Sequence, residues 1–279
     1  MKKFIPLLML ATACQTGYVR NDKVEVRSID APTSIETDEW LPSREYLIEP
    51  IITSIEKQSS EFLPFDEPRT EYGQQDGKLR PNWEHAYLHK RRFYVFNGDR
   101  YPTVVKNNAP FVPQVCADFI VDTIDRAAGT WYRPSLKRPG KDIGRFHFRQ
   151  MIIDAGLYPR RVGDLVKYFK QNPDDFEFVF EGQGAAVGDV KSLKQFFKQE
   201  DAKIGDIIFI SGKVPWDKVN EHQHSFFVTG YDENGFVEYV TGNPVYPVKR
   251  SLKVEGGRSP ERKVTHIIRM TRTFLEKLR

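Results

Sequence analysis

The chain is poor in cysteine: its 279 residues include only Cys14 and Cys116. This excludes the disulfide framework that stabilises many small secreted domains. After its first dozen residues the sequence also lacks an apolar run near the roughly 18 residues that a membrane-spanning helix needs, which predicts a soluble body. Hydrophobic residues nevertheless make up 39% of the chain and aromatic residues 13%, so it can build a core and is not a disordered protein.

The chain also lacks a large excess of positive or negative residues. The chain has 42 basic and 38 acidic residues, for a formal net charge of +4, and the two signs are interspersed. Nucleic-acid binding depends on clustered lysine and arginine residues that neutralise phosphates. The sequence therefore predicts no nucleic-acid partner.

The N-terminus is patterned like an export signal. Lys2 and Lys3 precede a short apolar run, residues 4–10, and the small residues 11–13 precede Cys14. This ending resembles the bacterial lipobox, whose cysteine becomes lipidated and forms the new N-terminus. The resemblance implies a signal peptide over residues 1–14 and a membrane anchor at Cys14. The alternatives are an ordinary signal peptide cleaved nearby and a simple apolar tail. Gln15, rather than aspartate, favours the periplasmic face of the outer membrane.

If Cys14 carries lipid, Cys116 has no partner for an intramolecular disulfide. Cys116 is then either a small buried apolar residue or a reactive thiol. Residues 115–128 have apolar side chains at helical spacing, so Cys116 falls in the first turn of a predicted helix. Unpaired backbone N–H groups and the helix dipole favour an anion there and lower the pKa of a thiol.

The rest of the sequence predicts an α+β fold. Residues 15–90 combine charges and prolines with little periodicity, which indicates a partly structured tether; residues 46–55 within it form a strand or a short helix interrupted by Pro50. The folded domain is predicted over residues 91–279, because helical patterns precede a run of strand patterns. The predicted strands and helices are strand 92–96, helices 115–128, 148–155 and 162–171, and strands 176–180, 206–211, 224–231, 236–241 and 264–270.

A cysteine nucleophile needs a base within hydrogen-bonding reach and a third group that orients the base. His224 begins a predicted strand, and Asn243 follows the strand joined to it by the turn at 232–235. Counting outward from this turn places both residues at the same end of the hairpin. Gln114 is a candidate donor to an oxyanion, together with the N–H of Cys116.

Each of these residues also has another interpretation. His222 competes with His224 as the base, because alternation puts both on one face of the strand. The two histidines, with His266, could form a metal site, but no acidic cluster or second cysteine supports it. Asn243 lies in Gly-Asn-Pro, a common turn sequence. We therefore predict neither a metal nor a cofactor.

Three motifs carry a resemblance to a known family. Residues 203–209 (KIGDIIF), 224–232 (HSFFVTGYD) and 242–244 (GNP), with a cysteine at a helix start, resemble the bacterial CHAP and NlpC-type cell-wall cysteine peptidases over roughly residues 111–269. The resemblance implies a papain-like core in which the helix that carries Cys116 packs on an antiparallel sheet. Cys116 would be the nucleophile, His224 the base and Asn243 the orienting residue; Gln114 is similar to the glutamine near the nucleophile of CHAP domains.

The interval from position 116 to position 224, 108 residues, is longer than in compact family members and predicts an inserted helical region around residues 131–200. The resemblance also implies peptidoglycan peptides as the substrate class. We expect a cell-envelope lipoprotein with Cys/His-dependent peptidase or amidase activity. Two alternatives are a non-catalytic papain-like module that binds the cell wall or a partner protein, and an acyl- or amide-transferase that uses the same pair.

Overall fold

Alternating apolar residues in the second half of the chain form the strands of one large antiparallel sheet. The structure, a computed structural model, describes residues 42–66, 77–142, 144–241 and 248–279. The strands are β1 (Phe93–Phe96), β2 (Asp99–Pro102), β3 (Phe176–Glu181), β4 (Ile207–Val214), β5 (Asp217–Tyr231), β6 (Val237–Thr241), β7 (Val248–Ser251) and β8 (Lys263–Met270). The sheet has the order β3-β8-β4-β5-β6-β7, and β1 pairs with β2 in a separate hairpin.

Helices cover this sheet and supply most of the first half of the chain. They are α1 (Arg44–Glu61), α2 (Leu79–Leu88), α3 (Cys116–Ala127), α4 (Phe148–Asp154), α5 (Val162–Gln171), α6 (Val190–Gln199), α7 (Leu252–Arg258) and α8 (Arg272–Lys277). The predicted α+β class is confirmed. None of the described helices combines the length and the apolar character needed to cross a bilayer.

The sheet separates two hydrophobic cores, because neighbouring residues of a strand point to opposite faces. Phe209 and Phe227 belong to the core shared with α1, α3 and α5. Ile210, which follows Phe209, and Phe226, which precedes Phe227, belong to the core shared with α6 and α7. The central strands β4 and β5 therefore have apolar side chains on both faces, and helices pack against each face.

The helix that begins at Cys116 packs directly on this sheet. Its Phe119 ring lies 6.4 Å from the Phe227 ring of β5, measured between centroids, and both rings are fully buried. At the start of the helix, the Asp118 carboxylate accepts a hydrogen bond of 3.1 Å from the backbone N–H of Val115. This back-bond satisfies an N–H at the helix start and fixes the first turn.

The expected boundary of the folded domain near residue 91 is wrong. The folded unit is Pro42–Arg279, and α1 places Leu47, Ile51 and Ile55 in the first core. Residues 46–55 are helical although Pro50 lies among them. Because proline has no N–H, Pro50 cannot donate to the carbonyl of Tyr46, four residues earlier. The side chain of Arg279 donates a hydrogen bond to this carbonyl instead.

The region expected as a helical insertion also differs from the prediction. It contains α4, α5 and α6 but is not wholly helical, because the strand predicted at 176–180 forms β3 between α5 and α6 and pairs with β8 at the edge of the sheet. Strand β5 begins at Asp217 rather than at His224, because its polar first half pairs with β4 in a projecting ribbon. Cys14 and Asn243 lie outside the described residues.

The position of α1 in the core gives a stability prediction. Ile51 is 0% exposed, so Ile51→Ala should lower the free energy of unfolding by about 2–5 kcal/mol. Ile153, on α4, is 46% exposed, and Ile153→Ala should cost no more than about 0.5 kcal/mol. Chemical denaturation of both variants measures the difference; equal losses would show that α1 is a tether and not part of the core.

Candidate active site

The fold brings Cys116 and His224 together. Cys116 is the first residue of α3 and is partly exposed, and His224 lies on β5 opposite Ile210 of β4. The thiol of Cys116 interacts with the His224 side chain, and with both the hydroxyl and the backbone N–H of Ser225. The start of α3 and the middle of β5 thus bring a thiol, an imidazole, a hydroxyl and a backbone N–H close together.

The surroundings of the thiol favour its ionised form. Burial by itself would raise the pKa of Cys116, because a buried charge loses hydration. The neighbouring His224 first, and then Ser225, outweigh this effect and bring the pKa of the thiol below its ordinary value. A thiol whose pKa is lowered by an adjacent histidine is the arrangement that makes cysteine an effective nucleophile near neutral pH.

His222, the competing base, is occupied elsewhere. Its Nε2 lies 2.8 Å from Oδ2 of Asp217, at the far end of the ribbon formed by β4 and β5. Hydrogen bonds from Asn220 and from His222 hold the pKa of Asp217 well below its ordinary value, so the carboxylate stays charged. His224, and not His222, is therefore the histidine that serves the thiol.

The third histidine of the alternative metal site, His266, lies on β8. Its Nδ1 is 3.1 Å from the Thr265 hydroxyl, and burial lowers its pKa. Within the part of the chain that the structure describes, no group of three or more His, Cys, Asp or Glu side chains is placed to hold a metal ion.

Gln114 does not have the role expected from its position before Cys116. Its side chain is 1% exposed, and Nε2 donates to Gln58 Oε1 at 2.9 Å and to Asp122 Oδ2 at 2.6 Å. Both partner atoms are acceptors, so both amide hydrogens are in use and none remains for an oxyanion. Gln114 belongs to a buried polar network behind the helix start, which the sequence reasoning missed.

That network consists of six charged residues that are at most 6% exposed and balance in charge. Its members are Asp66, Arg80, Asp118, Asp122, Arg149 and Arg160. Arg80 donates two parallel hydrogen bonds to the Asp122 carboxylate, at 2.7 and 2.8 Å, and Arg149 bridges Asp118 at 2.9 Å and Asp122 at 3.1 Å. Bidentate pairs of this kind are the strongest hydrogen bonds that side chains form with each other.

Arg160 extends the network to the start of α2. Its Nε lies 2.9 Å from Asp118 and its terminal nitrogen 2.5 Å from Asp66. The Asp66 carboxylate also accepts hydrogen bonds from the backbone N–H groups of Leu79 and Arg80, at 2.7 and 3.0 Å. The local signal in the sequence was Asp118 and Asp122, two acidic residues four positions apart on a helix that also carries Asp125 and Arg126.

The arginines keep both of these aspartates ionised. Burial acts to raise the two pKa values, but Arg160 and Arg80 hold the pKa of Asp118 below its ordinary value, and Arg80 and Arg149 hold that of Asp122 well below it. The charges are thus retained in the interior, where each depends on its partners.

Comparison of the chain with protein-family models, with curated proteins and with solved structures finds no match. An assignment of function therefore depends on the geometry around Cys116 and on the short motifs of the sequence. Asn243, the expected orienting residue, stays a prediction because it lies outside the described residues.

The two histidines allow a matched test of the site. Iodoacetamide should alkylate Cys116 at a pH well below the free-thiol pKa of about 8.5, because the thiol pKa is lowered. His224→Gln should move the pH profile up toward the free-thiol value, and His222→Gln should leave it unchanged. Mass spectrometry of the peptide that contains Cys116 measures both. An unshifted profile in His224→Gln would contradict the pairing.

The network can be tested through stability. Arg80→Met leaves Asp122 buried with less charge compensation and should lower the free energy of unfolding by about 3–5 kcal/mol. Arg272 pairs with Glu276 at 2.8 Å on the surface, so Arg272→Met should cost less than about 0.5 kcal/mol. Denaturation in urea compares the two variants; a loss below about 1 kcal/mol in Arg80→Met would show that the network is not structurally required.

Proposed function

We propose that the chain is a cell-envelope lipoprotein whose Cys116 and His224 hydrolyse peptide or amide bonds in peptidoglycan peptides. The observation that carries the proposal is the thiol at the first residue of α3, in contact with His224 and with its pKa lowered. An inert structural cysteine needs neither a histidine partner nor a position at a helix start.

The proposed reaction follows from this geometry. His224 takes the proton of Cys116, and the thiolate attacks the carbonyl carbon of the scissile amide. The N–H of Cys116, which has no carbonyl four residues earlier within the helix, is placed to donate to the oxyanion. The imidazolium then protonates the leaving amine, and water hydrolyses the thioester with His224 again as the base.

The topology supports a papain-like core. The helix with the nucleophile packs on an antiparallel sheet, and the base lies on a central strand of that sheet. The Gly-Asp motif before β4 has a structural place in this arrangement: Gly205 has a positive φ of 86°, and the buried Asp206 pairs with Arg269 of β8 at 2.8 Å. The motif thus closes the turn that leads into β4 and ties it to the neighbouring strand.

Asn243 completes the proposed triad. In the described part of the ladder, Phe227 of β5 stands opposite Val240 of β6. The hairpin count from the sequence expects Asn243 at the same end of this hairpin as His224. An amide there would hold the imidazole in the tautomer that accepts the thiol proton.

The activity can be tested with full-length protein in detergent and purified peptidoglycan. Wild type should release soluble fragments with new amino groups, and Cys116→Ala should reduce the rate at least roughly a thousand-fold, because the nucleophile is lost. His222→Gln is the matched control and should retain activity. Release by Cys116→Ala at the wild-type rate would contradict the proposal.

The same assay separates the alternatives. Transfer of the acyl group to an added amine in preference to water would identify a transferase. A reactive thiol with no release of fragments would move the search to other amide substrates, and an unreactive thiol would favour a binding module.

A further inference from the structure

Ser225, the neighbour of His224 on β5, is held in place from two sides. It stands opposite Phe209 in the ladder with β4, and its backbone carbonyl accepts a hydrogen bond of 2.6 Å from the hydroxyl of Thr241 at the end of β6. Both Ser225 and Thr241 are 0% exposed. The backbone that carries the Ser225 side chain is therefore held by both neighbouring strands.

The Ser225 hydroxyl is an unusual group in this position. Among the described residues it has no hydrogen-bond partner. Ser225 is buried on the same face of β5 as Phe227, the face that packs on α3, and it favours ionisation of the Cys116 thiol. A buried hydroxyl without a partner destabilises a protein, so its retention calls for an explanation. A neutral thiol is a weak acceptor, whereas a thiolate is a strong one.

We propose that the Ser225 hydroxyl is a donor that Cys116 uses in its ionised form, so that the thiolate accepts hydrogen bonds from both the hydroxyl and the backbone N–H of Ser225. Rotation about one side-chain bond aligns the hydroxyl, and Ser225 itself loses no proton, since His224 takes the thiol proton. This role rests on the proposed function, because it needs Cys116 to act as a thiolate.

The role has a consequence that a purely structural serine would not have. Loss of the hydroxyl should reduce the fraction of thiolate at low pH, while the thiolate that remains becomes more basic and intrinsically more nucleophilic. The alkylation rate should therefore fall where the thiol is mostly protonated, and should not fall on the plateau at high pH. General damage to the site would lower the alkylation rate both at low pH and on the high-pH plateau.

The experiment measures iodoacetamide alkylation of Cys116 against pH in the full-length protein, quantified on the peptide that contains it. Two pH units below the free-thiol pKa of about 8.5, Ser225→Ala should react roughly three- to ten-fold more slowly than wild type, with an unchanged or higher plateau. Ser225→Thr keeps a hydroxyl and should recover most of the low-pH rate. Thr229→Val removes another buried hydroxyl of β5 that lacks a described partner, and should leave the profile unchanged.

The outcomes separate the two proposals. A wild-type profile in Ser225→Ala, or equal losses at low and high pH, would overturn the role of Ser225 while leaving the Cys116 and His224 pair intact. A wild-type protein that reacts only near the free-thiol pKa would instead overturn the proposed function. If Ser225→Ala does not fold, the comparison of Ser225→Thr with Ser225→Val isolates the hydroxyl in the same way.

Discussion

The buried network of three arginines and three aspartates is the constraint on which the geometry of the site depends. It joins residues that are far apart in sequence, from Asp66 to Arg160, around Asp118 and Asp122 of α3. Removing one partner from such a set leaves an uncompensated charge in the interior, which costs more than the original pair contributed. The interactions therefore favour one arrangement of α2, α3 and α4 over others that would separate any pair.

This constraint reaches the thiol through the segment before the helix. The backbone N–H of Gln114 donates to the carbonyl of Pro64 at 2.9 Å, and the N–H of Asp66 donates to the carbonyl of Gln114 at 2.9 Å. The Gln114 side chain joins the network through Asp122. Cys116 thus follows a strand-like segment that is fixed on both its backbone and its side chain. A reactive group held on such a rigid support keeps its distance to a base on another element.

The sequence was sufficient for features that depend on local periodicity. Helices α3 and α5 and strands β3, β6 and β8 begin and end within two residues of their expected bounds, because one face or both faces of each are regularly apolar. For α1 the sequence left a strand or a short helix over residues 46–55 as alternatives, because Pro50 interrupts the helical pattern; in the structure Arg279 satisfies the carbonyl that Pro50 leaves without its usual donor. The hydrogen-bond partners of the Gln114 amide could not be predicted either, because Gln58 lies on α1 and Asp122 on α3, and only the tertiary fold brings them to Gln114.

Two kinds of ionisable group on α3, the buried aspartates and the Cys116 thiol, link its stability to pH. The pKa values of Asp118 and Asp122 are lower in the folded protein than in the unfolded chain, so these carboxylates stabilise the fold above the ordinary aspartate pKa, and this stability is lost only as the pH falls through their folded values. The pKa of Cys116 is lowered too, so its contribution is fully present above the free-thiol pKa of about 8.5 and is lost as the pH falls through the lower folded value. Above the ordinary pKa of an aspartate the network stays ionised, so α3 keeps the same charged and rigid support behind its first residue whichever form the Cys116 thiol takes there.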